Sequence, residues 1–376
     1  MTTTLEHNTD VPHLATGIRR LLDEFAKVQS NDFVLIAYTP DSRIYSAHLA
    51  VTLRQAGIRH VAVVMTPLID PGFHGRLELV LPDPQSFSGN LVVLTLEKDT
   101  MSHFDVLTPL FRLYGVARTR IVRIISASDE LFTHGLALTP TELEALNATL
   151  LDFLQGASRI RVQTDGGTDL NITLDQDRYE WISNRGKLRP GAFTILPAGE
   201  IATFSDAIEG RLVADGALNC NVITELDMRL ADNLLFVTIR NSIATSFSCS
   251  STSLNTFVEQ AFKLPNARRI GEIGFGTNQA LKTFLSHNSH VNERHPSLHI
   301  GFGQHNQSLQ TVPYEADIHL DAVTQDAVIT IEGTGRQLRL SELVPDPSKQ
   351  HPALMRDEDI TGDCCSSGCR VVRIGP

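Results

Sequence analysis

The stretch from Arg268 to Asp321 constrains this chain most, because it sets oxygen and nitrogen donors into short, strand-like segments. It runs through RRIGEIGFGTN, ERHPSLHIGFGQ and ADIHLD, and Glu272, Glu293, His299, His319 and Asp321 within it are donors of the kind that hold divalent metals. Residues two apart in a strand point to the same face, so His319 and Asp321 can reach one ion. His299 lies in LHIGFG, flanked by apolar residues and glycines. An imidazole there is either a satisfied core residue or a ligand, and a second histidine strand further along makes a shared site the better reading.

Glu272 in RIGEIGFG and Glu200 in ILPAGEIAT follow the same logic. A carboxylate buried alone is costly, so burial of either glutamate implies a cationic partner, whereas exposure on an edge strand implies none. Glu293 follows the polar loop SHNSHVNERHP and can act as an outer ligand, a general base or plain surface. The neighbouring His287, His290, His295 and His305 read as solvated loop residues.

The rest of the chain is read as support for this stretch. At 376 residues it is long enough for two domains. Residues 1–13 read as a disordered leader. Over 14–138, apolar strands such as DFVLIAY, HVAVVMT, LELVLP (77–82), LVVLTLE and RIVRIISA alternate with helices at 14–28, 43–56 and 103–114. That alternation predicts an α/β domain with an open, mostly parallel sheet. TPTELEALNATLLDFLQGA (139–157) is the clearest helix, with threonine caps and a glycine stop, and it bridges to the next domain.

From 158 to 343 short period-two strands with turn signals predict an α+β domain rich in antiparallel strands, interrupted by one helix at 252–264. Residues 344–376 read as an extended tail. Three of the five cysteines, Cys364, Cys365 and Cys369, crowd into it, beside Cys220 and Cys249 elsewhere. Their odd number argues against a disulfide framework, and the tail spacing matches no zinc motif.

Several function classes are disfavoured. With 32 basic and 43 acidic residues the formal charge is −11, which argues against nucleic acid or an anionic membrane as partner. Neither GxGxxG nor GxxxxGK[ST] occurs, so nothing points to a nucleotide. No apolar run approaches the about 20 residues that span a bilayer. The start MTTTLEHNTDVPHL has no basic and apolar pattern of a secretory signal, so a cytoplasmic location is expected.

Taken together, GAFTILPAGEIAT, EGRLVADGAL, RRIGEIGFGTN, ERHPSLHIGFGQ and IHLD resemble the catalytic half of the aminopeptidase T and aminopeptidase S family of dinuclear metalloaminopeptidases. The resemblance covers roughly 180–335. It implies Glu200, Glu272, His299, His319 and Asp321 as metal ligands, with Glu293 as ligand or base. Two zinc, cobalt or manganese ions, a short-peptide or small-molecule substrate and a homodimer are implied with them. That family carries a tyrosine seven residues after the first histidine, where this chain has Asn306. Tyr314 could occupy nearby space, and with Glu293 it makes the expected catalytic pair.

The related branch of 2,5-dihydroxypyridine dioxygenase resembles the same fold, with an iron(II) triad that would be His299, His319 and Asp321. Glu272, which that branch lacks, favours the two-metal site. The leading expectation is therefore a metal-dependent hydrolase of an amide or peptide bond near a free amino group. A mononuclear iron(II) oxygenase acting on an aromatic or heteroaromatic small molecule is the alternative, and a non-catalytic metal-binding scaffold the third reading.

Overall fold

The computed structural model describes residues 11–99, 102–352 and 356–357. The first domain is three-layered. Helix α1 (Val11–Arg20), continued by a wide turn at Leu21–Phe25, precedes β1 (Phe33–Tyr38), α2 (Arg43–Gln55) and β2 (Arg59–Val64). Then follow α3 (Phe73–Val80), β3 (Leu91–Glu97), α4 (Phe104–Leu107), α5 (Pro109–Tyr114) and β4 (Thr119–Ile125). All strand pairings in this sheet are parallel. Alternate residues of each strand enter opposite cores. Val34, Ile36, Val92 and Leu94 meet Ile18, Leu49 and Leu53 on one side, while Leu35, Val93 and Ile121 meet Phe73, Leu77 and Phe111 on the other.

Segment 77–82 departs from the expected strand. Residues 77–80 are the end of α3, because Phe73 and Leu77 stand four apart and are both buried, while Leu79 is exposed. A short apolar alternation fits either period, and here the tertiary contact decides. The helix expected at 103–114 divides into α4 and α5 at Pro109, which lacks the N–H to continue the turn.

The bridging helix is α6 (Pro140–Leu154), closed at its start by a reciprocal capping box between Thr139 and Glu142. Beyond it lie β5 (Arg159–Gln163), β6 (Asp169–Thr173), β7 (Ile182–Asn184), β8 (Phe193–Leu196), β9 (Glu200–Thr203), β10 (Ile208–Ala214) and β11 (Ala217–Cys220). The order continues with β12 (Leu235–Arg240), β13 (Ile243–Cys249), α7 (Thr252–Ala261), β14 (Ile270–Gly276), α8 (Val291–Arg294) and β15 (Leu298–Gly303). It ends with β16 (His319–Val323), β17 (Val328–Ile331), β18 (Gln337–Arg339) and β19 (Arg356–Asp357).

Two seven-stranded sheets result, ordered β13-β12-β10-β6-β5-β17-β18 and β11-β16-β15-β14-β9-β7-β19. They share one apolar core, into which Val162, Leu212 and Val237 project from the first and Ile273, Ile300, Phe302 and Leu320 from the second. Strand β8, grouped by sequence with this second domain, instead pairs with β4 and extends the first sheet to β2-β1-β3-β4-β8. The chain thus crosses between domains immediately before Glu200. Cys364, Cys365 and Cys369 lie outside the described residues. Among the described residues no helix is long and apolar enough to cross a membrane.

Candidate metal centre

Strands β9, β14, β15 and β16 are neighbours, and their register decides which side chains meet. Gly276 is opposite Glu200, Gly274 opposite His299, Gly301 opposite both Glu272 and Asp321, and Gly303 opposite His319. Directly opposed residues share a face, and so do residues two apart. All five expected ligands therefore stand on one face of one sheet, alternating with glycines. The other face carries Ile273, Phe275, Leu298, Ile300, Phe302 and Leu320 into the core. The period-two pattern of GEIGFG, LHIGFG and HLD separates donors from core.

The glycines are a steric requirement. A Cβ on Gly301 would lie 2.8 Å from Asp321 Oδ1 and 2.9 Å from both Glu272 Cβ and His319 Cε1. One on Gly274 would be 1.9 Å from His299 Nε2. Only hydrogen leaves room for the donors to converge.

Two three-donor groups result, Glu200–Glu272–His299 and Glu272–His319–Asp321, each with ligand atoms within 4.8 Å of one another. Glu272 belongs to both. The triad His299, His319 and Asp321 is not one of these groups: Glu272 completes the set around His319 and Asp321, and His299 faces Glu200 at 2.8 Å and Glu272 at 3.4 Å. All five side chains are buried.

The second group has the marks of an ion site. His319 Nδ1 donates to the carbonyl of Gln304 at 2.8 Å, which turns the Nε2 lone pair towards Asp321, 3.0 Å away. Asp321 is buried, and its Oδ1 is the atom that faces the His319 ring nitrogen. Burial would lower the His319 pKa, but Asp321 and then Glu272 outweigh it and lift the metal-free imidazole to about 10. Burial acts to raise Asp321, yet the facing His319 holds it below the usual carboxylate range. An imidazole and two carboxylates converging in a buried site fit a divalent cation.

Glu293, on α8, is buried and accepts a short hydrogen bond from Asn219 Nδ2 of β11. Tyr314 is tied to the strand beside His319 and belongs to neither donor group. Its hydroxyl donates to the Gly303 carbonyl at 3.1 Å, its ring packs on His305, and burial raises its pKa to about 12. Asn306 donates to the Thr203 carbonyl at 3.3 Å. The expectation of solvated loop histidines is corrected for three of them. His290, His295 and His305 are buried, His295 stacking on Phe284 and His305 held against the Tyr314 carbonyl. Burial lowers the pKa of His295 and His305.

Several supports were not anticipated. Asn147 of α6 donates to the Glu200 carbonyl at 2.8 Å and accepts from Thr277 at 2.6 Å, tying the bridging helix to two strands of the site. Glu130 of the first domain accepts from the backbone of Lys282 and Thr283, and Ser126 accepts from the His290 amide at 2.9 Å. The first domain thereby fixes the segment that carries Glu293. Arg294 is buried against Glu200 and Glu293. A side chain–backbone bond over such sequence distances leaves no local periodicity to read.

The sequence matches the family described as NicX, 2,5-dihydroxypyridine 5,6-dioxygenase, over residues 24–294. That span includes Glu200, Glu272 and Glu293 and ends before His299, His319 and Asp321. A search of curated proteins finds no match. Among solved structures, the fold is similar to that of 2,5-dihydroxypyridine dioxygenase from Pseudomonas putida KT2440, with TM-score 0.60 and 15% identity, covering 89% of this chain and 98% of that one. It is also similar to AmpT from Thermus thermophilus, with TM-score 0.51 and 14% identity, covering 87% and 97% respectively. At these identities the structural likenesses speak for the fold.

Proposed function

Because the chain belongs to the family of 2,5-dihydroxypyridine 5,6-dioxygenase, we propose that it is a metal-dependent oxygenase acting on an aromatic or heteroaromatic small molecule. The ion is held by Glu272, His319 and Asp321, and iron(II) is the metal in this reading. The observation that carries it is the family match over 24–294, joined to the convergent group of one imidazole and two carboxylates. Of the two enzyme readings of the sequence, the match favours the oxygenase over the hydrolase.

A bound iron(II) supplies the one-electron chemistry with dioxygen that side chains cannot. The chain's own residues do the rest. Glu272 and Asp321 bring the anionic oxygens that hold a divalent ion in a buried site, and Gln304 fixes the His319 tautomer. Glu293, oriented by Asn219, is the group positioned to take a proton from a ring hydroxyl of the substrate.

A two-metal hydrolase is the second reading, favoured by one specific observation: Glu272 is common to both donor groups, as a bridging carboxylate would be. The decisive test is protein purified without oxygen, loaded with iron(II) or with zinc, cobalt or manganese, and offered hydroxylated pyridines and benzenes or aminoacyl amides. Iron-dependent oxygen uptake, abolished in His319→Ala, is expected. Amide hydrolysis with zinc, cobalt or manganese and no oxygen uptake would sink the oxygenase in favour of the hydrolase.

A further inference from the structure

We propose that the buried guanidinium of Arg294 takes the place of a second metal ion beside Glu200, so that the centre accepts one divalent cation and not two. This rests on the reading of Glu272, His319 and Asp321 as the ion site, and it assigns a role to the half of the cluster that reading leaves over.

Arg294 is 1% exposed. Its Nη1 makes a close ion pair with Glu200 and lies 3.4 Å from Glu293 Oε2, while its Nε donates to the Pro197 carbonyl at 3.2 Å. Its own carbonyl accepts from the Asn278 amide at 3.0 Å, fixing the backbone from which the side chain extends. The guanidinium is thus anchored on several sides. A guanidinium is a planar cation with several N–H donors in a fixed fork, so it can meet carboxylates on more than one side.

The two donor groups differ in what they still lack. In Glu200–Glu272–His299, Glu200 already has the guanidinium on one oxygen and His299 Nε2 at 2.8 Å from the other. An imidazole N–H donated there needs no ion. In Glu272–His319–Asp321 an imidazole likewise faces a carboxylate, His319 Nε2 to Asp321 at 3.0 Å, but no arginine or lysine among the described residues pairs with Glu272 or Asp321. A second divalent ion bound to Glu200 would sit a few ångströms from a cation anchored on Pro197 and Glu293, in a buried site where repulsion is weakly screened. The charge that a second ion would bring is already built into the chain.

The experiment is metal stoichiometry by elemental analysis, on whole protein loaded with excess manganese(II) without oxygen and then desalted. Wild type should carry one ion per chain, Arg294→Lys one, and Arg294→Gln two, because glutamine keeps a donor for Pro197 and removes the charge. Electron paramagnetic resonance of the manganese-loaded wild type should show an isolated ion. Two ions in wild type, seen as an exchange-coupled pair, would overturn the inference while leaving the Glu272–His319–Asp321 site standing. A folded Arg294→Gln protein that stays at one ion would also overturn it. No ion in wild type would overturn the metal reading itself and this inference with it. Should Arg294→Gln fail to fold, the wild-type spectrum still decides.

Discussion

Charge is buried in both domains, and the two clusters are balanced in opposite ways. In the first domain, Arg123 of β4 pairs with Glu97 of β3 at 2.6 Å, donates to Thr95 at 2.8 Å, and lies over the rings of Phe104 and Phe193. Ser102 donates to the same glutamate at 2.6 Å. One fixed cation meets one carboxylate. In the second domain Glu200, Glu272, Glu293 and Asp321 lie together, and among the described residues the one arginine or lysine paired with any of them is Arg294, against Glu200 and Glu293. The first cluster is balanced in charge, whereas the second holds more carboxylates than arginines. Burial alone marks neither as functional; an uncompensated excess of one sign does.

The comparison breaks most severely at the balanced pair. Arg123→Ala leaves Glu97 buried without its partner, and burial already holds that carboxyl above its usual range. A loss of about 3–5 kcal/mol is expected for stranding one member of such a pair. Replacing both, as Glu97→Leu with Arg123→Met, should recover most of it, because apolar residues of similar volume can fill a site whose charges only neutralise each other. Chemical denaturation followed by circular dichroism measures the stability, and metal content of the folded fraction should not move. A fall in metal content in the folded double variant would show that the first cluster is coupled to the second.

How much of this was legible follows from where each signal lies. The donor strands were readable because alternation is local: Glu272, His299, His319 and Asp321 each sit among apolar residues at period two. The parallel strands β1, β3 and β4 and the capped helix α6 were readable for the same reason. What escaped depends on contacts distant in sequence. Nothing in ERHPS says that Arg294 turns inward to meet Glu200, since an arginine in a polar loop ordinarily stays in water. Strand β8 joins the first sheet through a pairing that its own four residues do not announce. The 77–82 segment misled because an alternation of few residues fits a helix when Phe73 supplies the partner for Leu77.

A smaller change sharpens the comparison from the glycine side. Gly301→Ala would put a methyl carbon 2.8 Å from Asp321 Oδ1 and 2.9 Å from Glu272 Cβ, displacing donors without removing any. Metal affinity should fall about 10- to 100-fold, the scale seen when the supports of a ligand are disturbed. In the first domain Gly75, within α3, has open space around the same position, so Gly75→Ala should leave affinity unchanged and stabilise the helix by about 0.5–1 kcal/mol. Calorimetric titration of both variants checks the pair. Unchanged affinity in Gly301→Ala would mean that the ion does not sit over this glycine.

The pH dependence separates the clusters by whether a proton can be exchanged for a metal. Without metal, burial pulls the His319 pKa down, but Asp321 and Glu272 raise it from 6.5 to about 10. A folded-state pKa raised in this way gives stability that is fully present below about pH 6.5 and is lost as pH rises through about 10. A ligating imidazole must be neutral, so the ion displaces this proton. Asp321, held below its usual range, stays ionised throughout and adds no slope here. Metal affinity should therefore rise by about tenfold for each pH unit over this window and level off above it. Meanwhile the metal-free protein should lose stability over the same interval. The Arg123–Glu97 cluster is not among the donor groups of the described residues and should contribute no metal-dependent slope. Chelator-buffered titrations at several pH values, with parallel melting of the metal-free protein, test both limbs. A flat affinity would exclude His319 from the ligand set, because a ligating imidazole must give up its proton.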